Sequence, residues 1–214
     1  MLSEIKKISS LLLSVAFSSI GFIASITVTV LAAREVSSNP LFVGFPNAVG
    51  VGGAVLGTRM IYLISKNNSQ LNALAFTFLI GAFGGAIMFY SLIVDSFVLL
   101  LFGAFILGIG QSATLQTRYA ASFVASEKFK ATALSLAVWF SVFGSVFGPR
   151  MVGSYSNFFE NIFNSELIVG YVIALVGMLF AASSLFIFTS KKSILRSPSN
   201  LESELNNQNS NKKN

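Results

Sequence analysis

The sequence contains no cysteine and no histidine, and only 10% of its 214 residues are charged. Without cysteine the chain can form neither disulfides nor thiolate sites, and without histidine it lacks the most usual proton relay and metal ligand. It also shows no nucleophile–base pair, no metal-ligand cluster and no phosphate-binding loop after a strand. We therefore expect neither an enzyme activity nor a cofactor or metal.

The scarcity of charge has a pattern. Soluble domains carry about 25% charged residues, and a larger core does not explain the difference, because a chain of this size still needs a wetted surface. A helix needs about 20 apolar residues to cross the hydrocarbon core of a bilayer, and the charges here separate six runs near that length. The runs without charge are 8–33, 36–58, 67–94, 96–117, 131–149 and 167–190.

These runs predict an all-α polytopic membrane protein with six transmembrane helices and a lipid bilayer around it. The first run is too long for a signal peptide, whose apolar region has about 7–15 residues. The bundle is expected over residues 1–190, and the polar segment 191–214, rich in Asn and Ser, is expected to be a disordered cytoplasmic tail. The predicted helices are approximately 9–33, 41–63, 71–91, 96–118, 131–152 and 167–190.

The basic residues predict the orientation. If the N-terminus is cytoplasmic, twelve of the fourteen Lys and Arg residues lie on the inner side, and only Arg34 and Arg150 lie outside. The positive-inside rule then places both termini in the cytoplasm, and we expect the cell membrane as the location. The bases occupy every inner loop, so we read the net charge of +6 as a topology signal and expect no nucleic acid partner. The predicted outer loops are near 34–41, 91–96 and 153–166, and the inner loops near 64–70 and 119–130.

Small residues recur at helical spacing in several spans. Helices in lipid pack through such residues, because small side chains let backbones approach closely. Spans 1 and 4 carry polar faces, spans 2 and 5 carry glycine faces, and the aromatic and aliphatic spans 3 and 6 are predicted to face lipid. This order predicts two three-helix units in an inverted 3+3 repeat, although small stripes also occur in other bundles. The stripes are Ser14, Ser18, Gly21, Ser25 and Thr29; Pro46, Gly50, Gly53 and Gly57; Gln111, Thr114 and Arg118; and Ala137, Ser141, Gly144 and Gly148.

Three local motifs resemble a known family. The stretch "GGAVLGTRMIYLISKNNSQL" is similar to the end of span 2 and the next inner loop in the major facilitator superfamily, with Tyr62 where that family has Asp. The segment 108–136 resembles the family's span 4 and the start of span 5. The third motif is a glycine four residues before a Gly-Pro pair, at Gly144, Gly148 and Pro149. The chain thus resembles the N-terminal six-helix half of a facilitator-type transporter.

The resemblance implies a carrier of twelve spans in two halves, with a small-molecule substrate between them. This chain would then pair with a second six-helix half, either a copy of itself or a separate chain. Spans 1 and 4 would line the cavity through Ser18, Ser25, Thr29, Gln111, Thr114 and Arg118. Spans 2 and 5 would supply helix-packing or gating residues that slide against the second half, namely Gly50, Gly53, Gly57, Gly144, Gly148 and Pro149.

The expected function is transport of a small solute by alternating access with that second half. The alternatives are a non-transporting membrane partner, a truncated remnant of such a carrier, or an unrelated six-span bundle. Arg118 could instead reach lipid phosphates, and Gln111 could simply join helices by hydrogen bonds. No acidic residue lies near a helix centre, so either the other half supplies the carboxylate for proton coupling, or the carrier is a uniporter, or this half does not transport. The spans favour an uncharged or anionic solute over a cation.

Overall fold

Six α-helices make up almost all of the computed structural model, which describes residues 2–37, 40–67, 69–163 and 165–191. Each helix is long and apolar enough to cross a membrane, and the described ranges contain no β-strand. The prediction of an all-α protein with six membrane spans is therefore confirmed. Of the predicted tail, residues 192–214 lie outside the described residues. The helices are α1 (Leu2–Val36), α2 (Phe45–Asn67), α3 (Gln70–Ile93), α4 (Phe97–Val124), α5 (Lys130–Phe163) and α6 (Ile168–Lys191).

The turn between α3 and α4 shows how the sequence ends one span and starts the next. Val94 closes α3 by donating its N–H to the carbonyl of Tyr90. Asp95 follows with φ 48°, a left-handed conformation that Asp tolerates better than most residues. The hydroxyl oxygen of Ser96 then accepts a hydrogen bond from the N–H of Leu99 and caps α4. This short turn leaves α3 and α4 as antiparallel neighbours.

Helix α5 is longer than predicted. Its 34 residues extend over about 51 Å at 1.5 Å per residue, well beyond the roughly 30 Å hydrocarbon core. The outer loop predicted at 153–166 is helical as far as Phe163, where the Phe163 ring meets the Phe89 ring of α3 edge-on at 5.5 Å. Pro149, which we expected near the outer end of the span, consequently lies inside the helix.

The packing order of the helices limits one prediction. Spans 3 and 6 can face lipid on one side only, where Phe83 and Ile187 are exposed, because α3 packs between α4 and α6, and α6 packs between α1 and α3. Of the most apolar stretch of each span, 50% is buried in α3 and 56% in α6, against 22% in α2 and 28% in α5. Close contact between glycines explains part of this: a Cβ added at Gly81 of α3 would lie 2.7 Å from Cα of Gly110 in α4. Hydrophobicity alone did not distinguish a side chain that faces lipid from one that faces another helix.

Candidate functional site

A cavity of about 360 Å³ lies between α1, α4 and α5, and we call it the polar cavity. Helix α4 contributes Gln111, Thr114 and Arg118 from the polar face that the sequence predicted. Its rim includes exposed apolar side chains, so the cavity opens on one side of the bundle. Its lining is Ser19, Phe22, Ile23, Ile26, Gln111, Thr114, Leu115, Arg118, Ser141, Val142 and Ser145.

Three side-chain atoms in the polar cavity are buried without a hydrogen-bond partner among the described residues. They are Oγ of Ser19, Oγ1 of Thr114 and Nε of Arg118. The Ser19 and Thr114 side chains are 3% and 4% exposed, and Arg118 is partly buried. A buried polar group left unpaired costs about 1–3 kcal/mol, so three such groups in one cavity mark it as a place where a bound molecule would find donors unused by the protein.

A second cavity, of about 210 Å³, lies between α1, α2, α3 and α4, and we call it the apolar cavity. Its polar side chains on α1 already make hydrogen bonds within the protein. The hydroxyls of Ser25 and Thr29 donate to the carbonyls of Phe22 and Ser25, both at 2.7 Å, and Tyr171 of α6 donates to Oγ1 of Thr29 at 3.4 Å. Apolar side chains such as Met88 make up most of the remaining wall.

The two cavities form one cleft, because Phe22, Ile26 and Gln111 line both. Along α4 the cleft extends from Ala104 to Arg118, fourteen residues or about 21 Å. This length exceeds half of the roughly 30 Å hydrocarbon core. The cleft therefore has one polar end at Arg118 and one more apolar end, joined at Gln111.

The cleft carries one positive charge and no negative charge among its lining residues. Arg118 is the only ionisable residue that lines either cavity, and the one salt bridge found between the described side chains is the exposed pair Lys130–Glu127. The carboxylates of Glu35 and Asp95 line a different cavity, at the C-terminal ends of α1 and α3. An anion in the cleft would thus meet attraction from Arg118 and no facing carboxylate.

The structure brings together five of the six cavity-lining residues predicted from the sequence. Ser25 and Thr29 lie in the apolar cavity, Thr114 and Arg118 in the polar cavity, and Gln111 in both. Ser18 is not among the lining residues of either cavity.

Ser18 is fully buried, and its hydroxyl donates to the carbonyl of Val15 in its own helix at 3.3 Å. The reason is that much of the small-residue stripe of α1 faces α6. Ser14 donates to the carbonyl of Ala181 at 2.7 Å, and Gly21 meets the backbone of Ala174.

Sequence reasoning missed the contribution of Ser19 and of two serines on α5. Ser19, Phe22, Ile23 and Ile26 follow offsets of 0, 3, 4 and 7 and form one helix face. Apart from its single serine, this face has the apolar pattern of an ordinary packing face, so periodicity alone did not predict that it lines a cavity. On α5, Ser141 lies four residues before Ser145, and both line the polar cavity.

The glycine face of α2 packs against α4 of the same chain. A Cβ added at Gly53 would collide with the carbonyl of Phe105, and one at Gly57 would meet Ser112. Gly50 is more open, with the carbonyl of Ala104 at 3.4 Å from such a Cβ. The expectation that these glycines slide against a second half is wrong, because α4 already occupies that face.

The glycine face of α5 packs in the same way against α1. A Cβ at Gly144 would lie 2.6 Å from the carbonyl carbon of Ser19, and one at Gly148 would lie 3.0 Å from the N of Ala24. Here too the contact expected with a second half is made within the chain. Pro149, next to this face, is exposed and lines neither cavity.

Comparison with known proteins gives two relatives of similar closeness. The chain is 30% identical over 175 residues, 82% of its length, to the uncharacterised MFS-type transporter YdeG of Bacillus subtilis. It is also 30% identical over 183 residues, 86% of its length, to the uncharacterised MFS-type transporter YddS of the same organism. It spans only 41% and 42% of those two proteins. No family model matches the chain, and no solved structure matches it.

Proposed function

The chain is a half-length relative of the major facilitator superfamily, and from this premise we propose that it forms the N-terminal half of a secondary transporter for a small solute. The cleft along α1 and α4 is one wall of the solute site. A second six-helix half, in the same polypeptide, in a separate chain or in a second copy, supplies the other wall. The two halves rock about the solute and expose it to each side of the membrane in turn.

The observation that carries this proposal is the polar cavity with its three unpaired polar atoms. Such groups are costly in a membrane bundle, because helices in lipid have no water to satisfy them, and three of the five found among the described residues lie in this one cavity. Ser19, Thr114 and Arg118 line a cavity that continues past Gln111 into the apolar cavity. A solute that accepts hydrogen bonds recovers the cost of leaving these groups unpaired.

The exposed faces of α2 and α5 support a second half. They are the least buried spans of the bundle, and their outer faces are apolar, with Val55 of α2 67% exposed and Trp139 of α5 69% exposed. The same faces adjoin the cleft, since Val51 of α2 lines the apolar cavity and Val142 of α5 lines the polar cavity. One body that covered α2 and α5 would therefore also close the cleft.

The neighbour relations support the predicted 3+3 repeat. Helix α1 packs against α5 and α6, and α4 packs against α2 and α3. If α1 is exchanged with α4, α2 with α5 and α3 with α6, each of these pairs becomes the other pair. Because each unit has three spans, the second crosses the membrane in the opposite direction, as inverted repeats require.

The orientation follows from the basic loops, which favour cytoplasmic termini in the cell membrane. In that orientation α1 runs outward and α4 runs inward, so Arg118 lies toward the cytoplasm and the apolar cavity toward the outside. The solute site would then have its charged end near the inner face. Gln111 would mark the middle of the path.

A second candidate function rests on the inner end of α2. The superfamily motif has an Asp where this chain has Tyr62, and the Tyr62 side chain is exposed and has no carboxylate. An ionic contact that closes one state of a carrier cannot form there. A six-helix membrane partner that does not transport is the function this feature favours.

Cross-linking tests the two-half arrangement, and because the sequence has no native cysteine, only the introduced cysteine of this chain can react. Val55→Cys on α2 and Val146→Cys on α5 should each cross-link in native membranes to a six-helix partner or to a second copy. Phe83→Cys on α3 and Ile187→Cys on α6 are comparably exposed controls and should not. Equal cross-linking at all four positions would contradict a specific second half.

Reconstitution separates transport from the non-transporting alternative. The cross-linked pair, or the chain with its identified partner, should take up solute into liposomes from a panel of labelled small molecules, and the chain alone should not. Uptake by the pair excludes a remnant. If the chain is strictly monomeric in mild detergent, binds no partner and shows no uptake, the carrier proposal is contradicted.

A further inference from the structure

We infer that the cleft selects small organic anions: the polar cavity binds a carboxylate or similar oxyanion, and an apolar body of the solute extends toward Gln111. This inference rests on the proposed function, because it takes the cleft as the solute site. It goes further by assigning the charge of the substrate and the direction in which it lies.

The charge balance of the cleft carries the first step. Arg118 is permanently charged, since arginine does not lose its proton in proteins. An unpaired charge in a medium of low polarity is costly unless an opposite charge compensates it. The lining residues supply no carboxylate, and the acids Glu35 and Asp95 line a cavity elsewhere. A bound anion is therefore the partner that the cleft itself does not provide.

The hydrogen-bonding inventory carries the second step. A guanidinium offers only donors, and hydroxyls such as those of Ser19 and Thr114 can each donate one bond. Nε of Arg118 and the two hydroxyl oxygens are buried without a partner in the same cavity. Carboxylates and phosphates are acceptors and fit the planar fork of arginine better than any neutral group does. An ammonium group, in contrast, would face Arg118 with like charge.

The shape of the cleft carries the third step. From Arg118 to Gln111 the path along α4 is seven residues, or about 10.5 Å. Its walls in between combine five apolar side chains, including Phe22, Ile26 and Val142, with four Ser and Thr residues. The cavity thus fits a solute about 10 Å long with one anionic end. Gln111, at the junction with the apolar cavity, is the polar group that such a solute meets next.

The anion could in principle arrive from two sources, a dissolved solute or the headgroup of an anionic lipid. The two share their chemistry at Arg118. We assign the solute, because Ser19 and Thr114 are buried between α1 and α4 and a headgroup at the bilayer surface would not reach them. The experiment below separates the two sources.

The test uses the full-length chain in nanodiscs of phosphatidylcholine, with three probes that differ only in their end group. These are 4-phenylbutyrate, 4-phenylbutan-1-ol and 4-phenylbutylammonium. Binding is measured by calorimetry and by the rise in unfolding temperature that a ligand of the native state produces. The carboxylate should bind and stabilise, the alcohol should bind at least tenfold more weakly, and the ammonium should not bind.

Variants locate the site. Arg118→Gln should weaken 4-phenylbutyrate binding roughly tenfold to hundredfold, the usual loss for a hydrogen bond to a charged group. Thr114→Val keeps the shape and should weaken it about threefold to tenfold. Arg118→Lys keeps the charge and should retain part of the affinity, which guards against a folding defect in the Gln variant. Arg150→Gln, an exposed arginine outside both cavities, is the matched control and should leave binding unchanged.

Three outcomes would overturn the inference. Tighter binding of the ammonium or the alcohol, lost on Phe22→Ala, would leave the cleft as a solute site with the wrong substrate class assigned. Stabilisation by phosphatidylglycerol that depends on Arg118, with no effect of 4-phenylbutyrate, would identify a lipid headgroup as the anion. Binding of 4-phenylbutyrate that is equal in Arg118→Gln and Arg150→Gln would place the probe elsewhere. The failure of the proposed function is seen separately, in cross-linking and uptake.

Discussion

The contact between α1 and α5 offers a sharp test, because it both holds the bundle together and supports the polar cavity. In Gly144→Ala the new Cβ would lie 2.6 Å from the carbonyl carbon and Cβ of Ser19 and 2.7 Å from its carbonyl oxygen. Carbon atoms in contact sit about 3.5–4.0 Å apart, so α1 and α5 must separate by roughly 1 Å. The first neighbour to move is Ser19, a residue of the cavity wall.

The expected change in the free energy of unfolding of Gly144→Ala is the difference between two effects. Forced overpacking costs about 1–3 kcal/mol, and replacing Gly by Ala inside a helix returns about 1 kcal/mol. Because the clash is with backbone, which cannot rotate away, we expect the upper part of the range, a net loss of about 2 kcal/mol. For a chain of this size that lowers the unfolding temperature by roughly 4–8 °C.

The assay is thermal unfolding in mild detergent, and Gly153→Ala is the matched control. It lies on the same helix, and a Cβ there has nothing within 4 Å. The control should be neutral or slightly stabilising, by up to about 1 kcal/mol. If Gly144→Ala is as stable as Gly153→Ala, the close approach of α1 and α5 is not present and the reasoning fails.

Two further predictions need only single substitutions. Ser14→Ala removes two hydrogen bonds from α1 to α6, one to the Ala181 carbonyl and one with the Ser184 hydroxyl, and should cost about 0.6 kcal/mol in unfolding free energy for each, the average for interhelical hydrogen bonds in membranes. Ser183→Ala, whose exposed hydroxyl bonds only its own helix, should cost less, and equal losses would contradict bonds between helices. A maleimide that cannot cross the membrane should label Ser154→Cys in whole cells, because this position is predicted to lie outside, and should not label Ser126→Cys in the predicted inner loop. The reverse result would overturn the orientation.

The number and class of the helices were predictable because they depend on local quantities. A charge-free run of about 20 residues has few stable solutions in lipid other than a spanning helix. The end of α5 was not predictable in the same way. The segment after Gly153 holds polar residues and Glu160, which are typical of a loop. The helix nevertheless continues to Phe163, whose ring contacts Phe89 of α3, a contact far apart in sequence.

The site on α4 was predictable because that helix has one polar face within an apolar span. Thr114 and Arg118 are four residues apart and must share a side of the helix. For α1 the same logic was insufficient. That helix packs against α4, α5 and α6, so small polar residues serve more than one of its faces. Ser14 bonds to α6, and Ser19 lines the polar cavity.

Polar residues that line the cleft therefore differ in what their side chains do, even along one helix, and this bears on how such a site can be predicted from sequence. On α1, the hydroxyls of Ser25 and Thr29 donate hydrogen bonds to carbonyls of their own helix. On the polar cavity's walls, Ser19 and Thr114 do not. One Ser and one Thr occur in both cases, so the distinguishing property is the unused hydrogen bond. That property depends on the neighbouring helices, because an open cavity in front of a hydroxyl removes the partner that close packing would supply. Substrate contacts in a chain like this one should thus be sought among buried polar atoms without partners, rather than along the most regular polar stripe.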